Sequence, residues 1–157
     1  MSEDADLFYG GDESLLSSFE PALSDAANLL ADLNGWTADE RAAHVLEAAR
    51  FYDDARLPAQ LASGLHQLVA RHSAAPADEG TLDEWSLEAR RAVRERFGME
   101  EGDRRFQVAR AFVAARPVVA KMLTETGVGS HRALVMALAE QADAIPKLRL
   151  TPRKRST

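Results

Sequence analysis

This chain of 157 residues has no cysteine, few aromatic residues (6%) and three lysines against 16 arginines. Without cysteine there is no disulfide, no thiolate nucleophile and no cysteine-based metal site. That absence suits a reducing cytosol. The arginine excess, alongside abundant alanine, reads as the mark of a GC-rich genome rather than of chemistry. No apolar run approaches the ~20 residues that a membrane span requires. The opening Met-Ser-Glu-Asp-Ala-Asp is acidic with no apolar stretch behind it, so no secretory signal is expected. Sustained period-two alternation is missing as well, which argues against a sheet.

Sites of familiar chemistry are also scarce. The histidines are His44, His66, His72 and His131. No two have the i, i+4 spacing that puts paired imidazoles on one helical face, and His66 and His72 point to different faces. No metal site is expected. Asp53 and Asp54 are adjacent, so on a helix they diverge by roughly 100° and share no proton. No Gly-x-Ser-x-Gly elbow occurs. Gly127 and Gly129 form Gly-x-Gly, but Arg132 stands at the third glycine position of the dinucleotide fingerprint and no strand precedes it. The residues therefore predict neither a cofactor nor an enzyme.

What is present is a charge gradient and helical periodicity. Residues 1–56 hold 13 acids and three arginines, a net of −10. Residues 57–146 are nearly balanced at −1. The tail from 147 carries Lys147, Arg149, Arg153, Lys154 and Arg155 with no acid, which brings the whole chain to −6. An acidic head and a basic tail imply partners of opposite sign at the two ends, or a head-to-tail contact between copies.

Hydrophobic residues, at 46%, suffice for a modest core. The predicted fold is all-α, with about six or seven short helices in two halves. An acidic N-terminal arm, residues 1–13, should be extended or disordered on its own. The N-terminal helical part covers 14–72. Leu16, Phe19, Leu23, Ala26, Leu30 and Leu33 form a heptad-like stripe, which could serve self-association or burial against the chain's own helices. Pro21 should interrupt it, so a helix is expected from near Glu20 or Pro21 to Asn34. Thr37 to Glu40 reads as a capping box. It opens a helix burying Ala42, Val45, Leu46, Ala49 and Tyr52. A helix after Pro58 would bury Leu61, Leu65, Leu68 and Val69.

Residues 73–80 read as a linker and 81–145 as a C-terminal helical domain. There Thr81 to Glu84 looks like a second capping box, and Asp103 and Ser130 can cap later helices. Gly127 permits the positive φ that ends one helix, and Gly129 allows the bend into the next. Whether the halves pack together is open from the residues alone. The tail, 146–157, follows Pro146.

The pair of helices around Gly127–Ser130 also has the outline of a helix-turn-helix. Its second helix offers only His131 and Arg132 to base edges, and the rest is apolar, so it looks made for protein contact. The basic tail can bind phosphates without sequence preference. It has no aromatic residue on which bases would stack.

Trp85 with Ala89 and Ala92, then Thr126-Gly-Val-Gly-Ser-His131, then Leu134-Val135 and Leu138-Ala139 make a pattern. It resembles the C-terminal region of scaffolding-type head assembly proteins of tailed bacteriophages. Leu7-Phe-Tyr-Gly10 is similar to short openings of such proteins. The likeness spans about residues 81–145, with Gly127, Gly129, Ser130 and His131 at its centre. Two features depart from it: Arg132 stands where many relatives have proline, and the middle is short and proline-punctuated where such proteins tend to have longer, more acidic helical middles. The resemblance implies a non-enzymatic protein acting in many copies or as a homo-oligomer. It would bind capsid or other head proteins through the basic tail, in the host cytoplasm or in the virion head. The readings set against it are a helix-turn-helix-like nucleic-acid adaptor of a packaging machine and a bacterial helical protein-interaction module.

Overall fold

The computed structural model describes the backbone of residues 3–145 and the side chains of residues 13–145. Seven α-helices and no strand occur among them. They are α1 (Glu3–Asn34), α2 (Ala38–Asp54), α3 (Ala59–Ala74), α4 (Glu79–Phe97), α5 (Met99–Ala114), α6 (Pro117–Thr126) and α7 (Arg132–Glu140). A 3-10 turn, Val128–Ser130, joins α6 to α7. The all-α class read from periodicity is the class observed.

Helix α1 corrects two expectations. It starts at Glu3, so residues 3–13 are helical rather than extended, and it runs through Pro21. Proline removes one helical donor, orphaning the carbonyl four residues earlier. Both Pro21 and Ser17 are exposed, so water can satisfy that carbonyl. The stripe is buried at Phe19, Leu23, Ala26 and Leu30, joined by Ala27. Leu33 is 51% exposed, because a straight helix of 3.6 residues per turn drifts off a heptad pattern.

Local signals act elsewhere much as their chemistry dictates, sometimes from a neighbouring residue. The Thr37–Glu40 box is formed: the Glu40 amide donates to Thr37 Oγ1 at 3.1 Å and the Thr37 amide to Glu40 Oε1 at 2.8 Å. Helix α4 begins earlier than expected. Asp78, not Thr81, is its cap, accepting from the Thr81 amide at 2.8 Å. The linker therefore shrinks to residues 75–78. Helix α5 begins right after Gly98, and Asp103 is instead held by the Arg94 guanidinium at 2.8 Å. Faces also rotate slightly. Ala42 and Leu61 are exposed, while Ala48, Phe51, Ala62 and His66 are buried.

The two halves pack into one core. Helices α1, α2 and α3 form one layer, and α6 lays Val119 and Leu123 against α2 and α3. The Phe51 and Phe112 rings meet at 5.3 Å across that boundary. Arg116 sits 3.8 Å above the Phe112 ring and donates to Asp54 at 3.1 Å, a second link between the halves. A smaller cluster, Ala89, Val93, Phe106, Val135 and Ala139, ties α4, α5 and α7 together.

Gly102 sets the spacing of α4 and α5. A Cβ there would sit 2.9 Å from Arg94 Cα and 3.0 Å from the Val93 carbonyl oxygen. Those are backbone atoms, so the helices themselves must part. Gly102→Ala should destabilise the fold by about 1–3 kcal/mol, as overpacking does. Equal urea midpoints for the two proteins would refute the close approach.

Candidate functional site

The turn singled out by sequence is built as follows. Thr126 Oγ1 donates to the Met122 carbonyl at 2.9 Å and accepts from the Val128 amide at 3.3 Å, closing α6. Gly127 has φ +80°, and a Cβ there would also run into Leu82 Cδ2. The conformation favours glycine, and a larger residue would also have to push the Leu82 side chain aside. Gly129 lies in the 3-10 turn against Leu123.

Ser130 is not the cap of α7. His131 is, its Nδ1 accepting from the Ala133 amide at 3.0 Å. An accepting Nδ1 leaves the ring proton on Nε2. The imidazole then stacks edge-on to Trp85 at 4.7 Å, and Trp85 stacks on His72 at 4.9 Å. Burial, and next the nearby His72, lower the His131 pKa, against the pull of Glu88. Helix α7 buries Leu134, Val135, Ala137, Leu138 and Ala139, which leaves Arg132 and Ala133 exposed at its start. The basic-tail residues Lys147, Arg149, Arg153, Lys154 and Arg155 lie outside the described residues.

The histidines hold the arrangement that sequence reasoning missed. His44 Nε2 and His66 Nε2 are 2.8 Å apart, and Tyr52 Oη lies 3.0 Å from His66 Nδ1. Tyr52 is buried, so its hydroxyl needs an acceptor. Donation to His66 Nδ1 puts the His66 proton on Nε2, which donates to His44 Nε2. His44 then carries its own proton on Nδ1. The reverse chain would strand the Tyr52 hydroxyl hydrogen without an acceptor. Burial lowers the His44 pKa to about 4, with Arg41 adding to it. Burial also lowers His66, reinforced by His44, and raises Tyr52.

The Trp36 ring covers His44 at 4.7 Å. His44 and His72 both line a cleft of about 420 Å³ between α2, α3 and α6, with Trp36, Met122, Lys121 and Glu125. The four histidines thus gather into two stacks although their spacings match no motif. His44 and His66 lie 22 positions apart on different helices, and only the packing of α2 on α3 joins them. Among the described residues, no three His, Asp or Glu side chains group as a metal ion would require.

The outer face of α4 is the other notable surface. Leu87 and Met99 are 63% and 66% exposed. With Arg90, Arg91, Arg94 and Glu95 they line a shallow depression of about 350 Å³. Arg94 is held by Asp103, and Arg90 lies 4.5 Å above the Phe106 ring. Arg91 has no ion pair among the described residues. An exposed leucine and methionine beside arginines is the composition enriched where proteins meet.

Compared with known proteins, the chain matches no family model, no curated protein and no solved structure. No described helix is long and apolar enough to cross a membrane.

Proposed function

We propose that this chain is a non-enzymatic helical protein-binding module of the phage head assembly type, contacting capsid or other head proteins in many copies. The observation that carries this reading is the α4 face, where Leu87 and Met99 stand exposed among Arg90, Arg91 and Arg94. A face of that kind anchors a partner through buried apolar contact and gives arginine bidentate reach to carboxylates. The Thr126–His131 turn, with its resemblance to head assembly proteins, supports the choice of partner. The basic tail supplies a second, electrostatic contact with acidic capsid surface. Helix α7 spends most of its side chains on the chain's own core, which weighs against reading of DNA bases. On this reading the protein works in the host cytoplasm during head assembly and is then released or retained in the virion head.

Co-sedimentation with the major capsid protein encoded nearest to this chain tests the proposal. Full-length protein should bind at low salt. Removing residues after Ile145 should weaken binding strongly, and so should added salt, since exposed charges are screened beyond ~10 Å at 0.1 M. Leu87→Asp together with Arg91→Glu should weaken binding at least tenfold, about 1.4 kcal/mol, which is less than the ~2 kcal/mol of a single hot-spot residue. Absence of binding by the full-length chain at both salt levels would remove the head-protein reading.

A further inference from the structure

The first 40 residues hold ten acids and no base, whereas five bases and no acid follow Asp143. Helix α1 carries eight of those acids. Arg41, the first base of the chain, is already engaged. It pairs with Glu20 at 3.6 Å and donates to Asn28 and Ser24.

Asp25, Leu29 and Asp32 recur at i, i+4 and i+7, so they share one face of α1, and Leu33 lies one turn beyond Leu29. All four are exposed, Leu29 at 57%. Helix α1 packs against α2 and α3 through its other side, at Phe19, Leu23, Ala26 and Leu30. Neither aspartate takes part in an ion pair among the described residues. The face therefore presents two leucines flanked by two unpaired carboxylates.

An occupant that fits it brings apolar side chains and positive charge. A second copy of the same face is disfavoured, because aspartate would meet aspartate. The segment after Ile145 has the complementary composition: Lys147-Leu148-Arg149-Leu150, then Arg153, Lys154 and Arg155. It also has the reach. Ile145 is fully buried, in the same cluster as Phe19, Leu23 and Leu30 of α1. The chain thus leaves from the core that α1 covers, and a helix is about 10–12 Å across. The 12 residues past Ile145 span up to roughly 40 Å, enough to pass round α1 to its outer side. A tether of that length keeps the segment near the face at about millimolar concentration. Exposed ion pairs are individually weak, so a contact built from them forms within one chain where it would fail between separate chains at micromolar concentration.

We propose that this outer face of α1 is the docking site of the chain's own C-terminal segment, with Leu148 and Leu150 on Leu29 and Leu33 and the bases against Asp25 and Asp32. The docked segment covers the apolar pair. It also withholds the basic residues from other acidic surfaces until one competes for them. The docking involves this chain alone, so its test needs no capsid, and its failure leaves the capsid reading to its own experiment.

Because the chain has no cysteine of its own, Thr157→Cys carries a single nitroxide on the full-length protein. Paramagnetic broadening is then read at each backbone amide by NMR. At low salt the amides of residues 25–33 should lose most of their intensity. At 1 M salt, where the Debye length is about 3 Å, they should regain it. Asp25→Lys with Asp32→Lys, both at exposed positions, should abolish the loss with the circular dichroism unchanged. Leu29→Ser with Leu33→Ser should reduce it. Changing all five tail bases to glutamate on the Asp25→Lys, Asp32→Lys background should restore it. Full intensity at residues 25–33 at low salt would overturn the proposal, as would a loss that survives the aspartate reversal. A third sample mixes isotope-enriched chains lacking the nitroxide with unenriched chains that carry it. Broadening there as strong as within one chain would also overturn the proposal, because the occupant would then be the tail of a second copy.

Discussion

Phe112→Ala should cost about 3–5 kcal/mol, the usual range for emptying a buried aromatic site. Phe112 is 0% exposed and is the α5 ring that meets Phe51 of α2. It also carries Arg116 on its face, and its carbonyl accepts from the Arg116 guanidinium at 3.0 Å. Truncation therefore removes a cation–π contact and loosens the Arg116–Asp54 pair together with the ring packing. The loss falls at the boundary between the halves, where little else is aromatic. Folded domains commonly have only ~5–15 kcal/mol in total, so the variant should be near the edge of folding at 37 °C. Urea unfolding followed by circular dichroism and by tryptophan emission checks this. Trp36 reports on the first half and Trp85 on the second. Coincident transitions that shift down together are expected. A shift below 1 kcal/mol would mean that the halves do not depend on this contact.

Acid should destabilise the protein well before its carboxylates are titrated. His44 is held at a pKa of about 4 and His66 is also lowered, both chiefly by burial, whereas an unfolded imidazole titrates near 6.5. Between those values the unfolded chain binds protons that the folded chain refuses. Stability is then complete above about pH 7 and falls as the pH drops toward 4. At 1.36 kcal/mol per pKa unit, the His44 shift alone is worth on the order of 3 kcal/mol by pH 4. The lowered carboxylates Asp78, Asp103 and Glu101 begin to lose their contributions as the pH falls through the ordinary carboxylate range and finish below it. Urea midpoints taken from pH 7.5 to 4.5 should decline steadily. A variant with His44→Leu, His66→Leu and Tyr52→Phe removes the whole hydrogen-bonded chain without stranding a partner, and its midpoints should be much flatter over the same range. Parallel curves for the two proteins would show that the acid sensitivity lies elsewhere.

The sequence by itself determined the class of the fold, several helix boundaries and the glycine turn. Each of these is decided within a few residues. Periodicity of 3.6 chooses helix, Thr37 and Glu40 satisfy each other's amides, and Gly127 takes a φ that other residues resist. Boundary errors arose where two local solutions compete at similar energy. Asp78 and Thr81 can both cap α4, and His131 outcompetes Ser130 because its ring nitrogen accepts from Ala133 while its ring stacks on Trp85. Pro21 misled because the cost of proline inside a helix depends on whether the orphaned carbonyl meets water, and exposure belongs to the fold.

Only the tertiary structure decided that the halves share a core and that four unmatched histidines assemble into two stacks. Those outcomes depend on which helix faces meet. Residues far apart in the chain become neighbours through packing, and no spacing along one helix records a contact made between two.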